Sequence, residues 1–164
     1  MDGYIGLGSN LGDPIAELRG AVGELESRGV ELRARSSLYR TEPVDALEQA
    51  WFVNAVAEIR FGGRPDELLQ ICLNVETARG RERTRRHQPR ILDLDVLLLG
   101  ELVLASDELT LPHPRLHERR FVLEPMVQIA PDVVHPGLRK TMRDLLEECT
   151  DESKVVRLEE AFAR

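Results

Sequence analysis

The chain predicts an α+β fold: one antiparallel sheet with helices packed on it. Three observations carry that expectation. Apolar segments follow one another in the order strand, helix, strand, strand, helix, strand. Prolines at 14 and 65 stand where two amphipathic helical patterns begin. The sixth segment, Arg90–Leu99, is an apolar run of the kind found in sheet interiors, interrupted only by two aspartates.

Tyr4-Ile5-Gly6-Leu7 reads as the first strand, ending in Gly8-Ser9-Asn10-Leu11-Gly12, a turn too rich in glycine to continue it. Asp13 and Pro14 suit the cap and first position of a helix whose Ile15, Leu18, Val22 and Leu25 share one face, and Gly29 ends it. Val30, Leu32 and Ala34 alternate with charged residues as a half-buried second strand, and Phe52 to Phe61 supplies a third. Pro65 opens a second helix with Leu68, Ile71, Cys72 and Val75 at helical spacing, and Arg79-Gly80 stops it. This order is the ferredoxin-like βαββαβ arrangement. Beyond it, Leu109 to Pro114 is too proline-broken for a central strand, while Phe121–Ile129 and Leu138–Glu148 read as helices and Val155–Leu158 as an edge strand. With 164 residues and no repeat or linker, a single domain over 1–164 with a C-terminal extension wrapped on the same core is expected.

A formal charge of -7 and 4% aromatic residues argue against nucleic-acid and membrane binding, which need a basic face. Cys72 and Cys149 have no metal-ligand spacing and read as buried thiols. The amino terminus runs directly into strand-like sequence without a basic-then-apolar leader, so a cytoplasmic location is expected.

Asp93 and Asp95, one residue apart on a strand, project from the same face with Cα atoms roughly 6.5 Å apart. A carboxylate pair in an apolar strand needs a cation. That cation is either a divalent metal such as Mg²⁺, which takes carboxylates together with substrate phosphates, or neighbouring arginines. Just upstream, Arg79 to Arg90 holds six arginines and no lysine. Guanidinium forks match phosphate oxygens, so the junction of this segment with the aspartates favours a polyphosphate site.

Four separated segments together resemble the 6-hydroxymethyl-7,8-dihydropterin pyrophosphokinase family: Gly8-Ser9-Asn10-Leu11-Gly12; Tyr39 to Val44 with Phe52-Val53-Asn54-Ala55; Pro89 to Asp95; and Leu111 to Leu116 with Arg119 and Phe121. The resemblance implies transfer of the terminal diphosphate of ATP to the hydroxymethyl group of a reduced pterin, giving AMP. It implies that Asp93 and Asp95 hold two Mg²⁺ ions, and that Arg81, Arg90 and Arg83 engage phosphate. It implies also that Glu76, His113 and Arg119 line the ATP site, and that Thr41, Val44, Phe52, Asn54 and Phe121 receive the pterin. Asn54 fits that role by its chemistry, because an amide inside an apolar strand needs a partner. The expected partners are these two small molecules, bound by a monomer.

Overall fold

The strand β1 (Asp2–Ser9) runs through the middle of the sheet, antiparallel to β4 (Phe52–Arg60) on one side and β5 (Asp93–Leu99) on the other. The computed structural model describes residues 1–43, 50–80, 92–160 and 162. Two short strands, β2 (Glu31–Arg35) and β3 (Tyr39–Thr41), share β4 end to end, β2 opposite Ala57 to Arg60 and β3 opposite Phe52 to Asn54. The second strand of the ferredoxin-like plan is therefore split in two. Ser36 bridges the break: its N–H donates to the Val56 carbonyl and its hydroxyl accepts the Val56 N–H, both at 2.9 Å. β8 (Val155–Arg157) pairs with β3, as the sequence suggests for an edge strand.

Local chemistry sets the helix ends. Asp13 caps α1 (Pro14–Ser27), its carboxylate accepting the Ala16 N–H at 3.2 Å, a contact worth about 1 kcal/mol. In α2 (Pro65–Ala78) the Glu67 side chain accepts the Arg64 N–H at 3.3 Å. Both helices cover one face of the sheet. Leu18, Val22, Leu25, Leu68, Cys72 and Val75 meet Ile5, Leu7, Ala55, Ile59, Leu94 and Val96 in one core.

The opposite face carries a second core. Tyr4, Val56, Leu97 and Leu98 pack beneath α3 (Arg120–Ile129) and α4 (Met142–Glu148) through Val122, Leu123, Met126, Met142 and Leu145. Both Leu97 and Leu98 reach this side because the register with β1 slips there, Tyr4 facing Leu98 and Ile5 facing Val96. The C-terminal extension thus forms the second layer of the domain.

Two boundaries differ from the expectation, and the proline-broken segment lies where it was expected, outside the main sheet. β1 continues through Gly8 and Ser9, which remain paired with Asn54 and Val53, so these residues are strand and not turn. α4 begins at Met142 and not Leu138, because Arg139 takes a left-handed φ of 61° and Thr141 caps the helix through the Asp144 N–H. The proline-broken segment stays out of the main sheet and contributes β7 (Thr110–Leu111) to a two-stranded ribbon with β6 (Leu104–Ala105). Among the described residues no helix is long and apolar enough to cross a membrane.

Candidate active site

Alternation along β5 decides where the aspartates go. Leu94 and Val96 enter the core beneath α1 and α2, so Asp93 and Asp95 project from the other face, and both are only partly exposed. Across β1 their neighbours are glycines: Asp93 faces Gly8 and Asp95 faces Gly6. Across β1 on the far side, Gly8 faces Asn54 and Gly6 faces Val56. With strands about 4.8 Å apart, the carboxylate of β5 and the amide of β4 stand roughly 10 Å from each other over a strand that has no side chains there. Gly6 and Gly8 are candidate site positions that sequence reading did not place among the substrate contacts. The signal was available, since two glycines at a spacing of two inside a strand mark a close approach.

Asn54 lies over Gly8, where an added Cβ would overlap its Oδ1. Its Nδ2 donates to Thr41 Oγ1 at 2.6 Å, so two of the expected pterin residues are joined directly. Phe52 shares the Asn54 side of β4, and Phe121 stands on α3, packed against the second core. The Arg40 guanidinium lies over the Trp51 ring at 4.6 Å and ties the ends of β3 and β4 together beside this group, a contact worth about 0.5–1 kcal/mol.

His113 follows β7 and is anchored to β5 by its N–H, which donates to the Leu97 carbonyl at 2.9 Å. Its Nδ1 accepts the Arg115 N–H at 3.2 Å, which assigns the ring proton of the neutral form to Nε2, 3.9 Å from Asp95 Oδ1. Burial lowers the pKa of His113 below the ordinary value; Arg119 and Arg115 act in the same direction and Asp93 opposes them. A neutral N–H donor aimed at the carboxylate face is the result. Arg119 sits at the N-cap of α3 with its guanidinium 5.5 Å over the Phe121 ring.

Glu76 is placed differently from a solvated helix charge. It is 2% exposed, on the α2 side of the sheet, and its Oε2 accepts the Leu94 N–H at 2.8 Å. Cys72, one turn earlier, has its thiol pushed up to about 12 by burial first and by Glu76 and Asp95 next, so it is an inert core group as expected. Val44, Arg81, Arg83 and Arg90 lie outside the described residues.

An unbroken line of candidate contacts therefore runs across one sheet end: Thr41, Asn54, Gly8, Asp93, Asp95 and His113. Residues 4–131 match the family described as 7,8-dihydro-6-hydroxymethylpterin-pyrophosphokinase (HPPK). The chain belongs to this pyrophosphokinase family. A 2-amino-4-hydroxy-6-hydroxymethyldihydropteridine pyrophosphokinase of Methylorubrum extorquens is 44% identical over 157 residues, covering 95% of this chain and 98% of the relative. The enzyme of the same name from Bacillus subtilis is 42% identical over 131 residues, covering 79% of this chain and 78% of the relative. A crystal structure of Plasmodium falciparum HPPK-DHPS with pteroate superposes with a TM-score of 0.70 over 90% of this chain at 14% identity, which establishes a shared fold. This chain spans 42% of the length of that longer one.

Pyrophosphokinase donors should be few and hard, and the residues present meet that condition. Two carboxylates on one strand face leave room for phosphate and water oxygens around an ion, the arrangement Mg²⁺ uses beside a nucleotide. No soft ligand stands among the residues assembled here, and among the described residues no group of three or more His, Cys, Asp or Glu side chains converges.

Proposed function

We infer that the protein transfers the terminal diphosphate of ATP to the hydroxymethyl group of 6-hydroxymethyl-7,8-dihydropterin, releasing AMP, a step of folate biosynthesis. Family membership supports the reaction, and one observation supports its location. The Asp93–Asp95 pair and the Thr41–Asn54 pair lie on the same sheet face, separated by the bare glycines of β1. That separation is of the order of the distance between a nucleotide's phosphates and a pterin ring laid end to end.

Asp93 and Asp95 would hold two Mg²⁺ ions. Bound there, Mg²⁺ would supply charge neutralisation at the triphosphate during an in-line displacement. The chain's own groups do the rest. Asn54, held by Thr41, presents amide donor and acceptor capacity to the pterin edge, and Phe52 and Phe121 offer faces to its ring. His113 donates from Nε2 toward phosphate oxygens, and Arg119 adds a fixed positive charge. Arg81, Arg83 and Arg90 would offset charge developing on the transferred group. Among the described residues no side chain stands as a dedicated general base, so rate enhancement comes from positioning and electrostatics. The protein acts on these small molecules as a monomeric single domain in the cytoplasm, without nucleic acid or membrane.

Nucleotide analysis of a mixture of protein, ATP, Mg²⁺ and the hydroxymethyl pterin tests this reading. AMP formed in step with pterin diphosphate is the expected result. ADP would mean monophosphate transfer, and no turnover together with tight ATP binding would mean a nucleotide-sensing module.

A further inference from the structure

Phe121, expected against the pterin ring, rides on the first turn of α3, and that turn is poorly tied to its own helix. The N-cap position is Arg119, whose side chain has no oxygen to accept the N–H groups at the helix start, and it makes no cap bond. Pro125 lies inside the helix and has no N–H to give to the Phe121 carbonyl. The missing support comes from Asp151, 31 residues beyond Arg120, whose Oδ2 accepts the Arg120 N–H at 3.0 Å. A carboxylate is thereby set at the positive end of the helix dipole. The Arg120 guanidinium returns the contact. Its Nε donates to the Asp151 carbonyl at 2.8 Å and its Nη2 to the Cys149 carbonyl at 3.4 Å, while Nη1 meets Glu124 Oε1 at 3.2 Å.

The other Asp151 oxygen turns the chain toward β3. Oδ1 accepts the Ser153 N–H at 2.9 Å and the Ser153 hydroxyl at 2.5 Å. Burial disfavours the charged carboxylate, but the bonds from Ser153 and Arg120 outweigh it and hold the pKa below the ordinary value. Lys154, the next residue, is held at both backbone groups by Glu42. Its carbonyl accepts the Glu42 N–H at 3.1 Å, and its N–H donates to Glu42 Oε1 at 2.8 Å. A side chain thus completes the pair that follows Thr41 and Val155 in the β3–β8 ladder. Thr41, immediately before Glu42, is the residue whose hydroxyl accepts the Asn54 amide. The segment 149–154 therefore joins the turn carrying Phe121 to the strand end carrying Thr41.

We propose that the segment 149–154 is a strap that sets the pterin slot, and that Asp151 and Glu42 are positioning residues within it. Asp151 acts through the first turn of α3 and Glu42 through the end of β3. Together they fix the spacing between the Phe121 ring and the Thr41–Asn54 pair, so the C-terminal extension shapes the opening that admits a flat ring. This rests on the reading of Thr41, Asn54 and Phe121 as the pterin site.

Calorimetric titration of the hydroxymethyl pterin, with Mg²⁺ and a non-hydrolysable ATP analogue present, tests the strap in Glu42→Ala, Glu42→Gln and Asp151→Ala. Titration of the analogue alone and thermal unfolding accompany it. Glu42→Ala is the informative change, because it removes one bond to Lys154 and leaves the backbone bond in place. The expected result is pterin affinity weakened roughly tenfold in Glu42→Ala and Asp151→Ala, through loss of a pre-set slot. Glu42→Gln, which keeps the acceptor for the Lys154 N–H, should recover most of that affinity, and Glu42→Ala should leave affinity for the analogue unchanged. Unchanged pterin affinity in either alanine variant overturns the proposal, as does a Glu42→Gln variant no better than Glu42→Ala. A loss in Glu42→Ala shared equally by the analogue, or one that merely follows a fall in unfolding temperature, overturns it too. If Asp151→Ala does not fold, Glu42→Ala decides alone. Failure of the unsubstituted protein to bind the pterin would instead overturn the pterin-site reading and the strap with it.

Discussion

Asn54 donates to Thr41 at 2.6 Å while its carbonyl oxygen occupies the space above Gly8. The amide is thereby locked in one orientation between two neighbouring strands, and its remaining hydrogen-bonding capacity points where the second substrate is expected. A side chain so fixed loses little rotamer freedom when it binds, which favours affinity and selectivity together. Asn54→Ala should therefore raise the KM for the pterin roughly ten- to a hundredfold, with the KM for ATP nearly unchanged. Steady-state kinetics with each substrate varied in turn provides the check.

Gly8→Ala should act through the same contact. The new methyl group would drive into Asn54 Oδ1, and the β-sheet backbone on either side leaves it little room to retreat. Pterin binding should weaken by roughly the amount seen on removing the amide. The Gly8→Ala, Asn54→Ala double variant should be less impaired than the sum of the two changes, a coupling that a double-mutant cycle measures.

Asp93→Asn and Asp95→Asn should each lower kcat by roughly a hundredfold to a thousandfold. Activity against Mg²⁺ concentration should shift to higher metal in both variants, and chelation with EDTA should abolish AMP formation by the unsubstituted protein. Insensitivity to EDTA would contradict the role given to this pair.

His135 gives the stability a pH dependence. Its Nδ1 accepts the Gly137 and Leu138 N–H groups at 3.1 and 2.9 Å, and the His117 ring stands edge-on at 6.2 Å. Burial first, and His117 second, lower its pKa below the ordinary 6.5. The folded protein thus prefers the neutral ring, and below the unfolded value the unfolded chain takes up the proton first. The contribution is complete above that value and is lost as pH falls through the folded pKa. Urea unfolding at about pH 7.5 and about pH 5.5 should show this loss, and His135→Asn, which retains an acceptor but cannot titrate, should show less of it.

Cys72 is 1% exposed, and its thiol is held protonated in the core, whereas Cys149 is partly exposed. Titration with a thiol reagent should consequently modify Cys149 in the native protein and reach Cys72 only after unfolding.

The aspartate pair was legible in the sequence because a period of two fixes the face of every strand residue, and both helices were legible because Asp13-Pro14 and Pro65 mark their starts. β3 was not, since Tyr39-Arg40-Thr41 is too short to show any period and exists only because β4 is long enough to pair with two strands. Gly8 was read as a turn because glycine favours turns locally; the ladder partners that keep it extended lie far away in sequence. Glu76 and Arg79 were hidden for a related reason. Composition groups Arg79 with its neighbours in the chain, and only the packing of α2 on α1 and β5 shows which carboxylates and amides claim it and Glu76.

Because both faces of the sheet are covered and every strand residue belongs to one of them, β4 alternates between two kinds of sensitivity. Substitutions at Val53, Ala55 and Ala57, which face α1 and α2, should reduce how much protein accumulates in a cell, while those at Phe52 and Asn54 should reduce what each molecule accomplishes. A deep mutational scan reading abundance and growth separately would see the two signals exchange places at each step from Phe52 to Ala55, before Val56 returns that face to the second core.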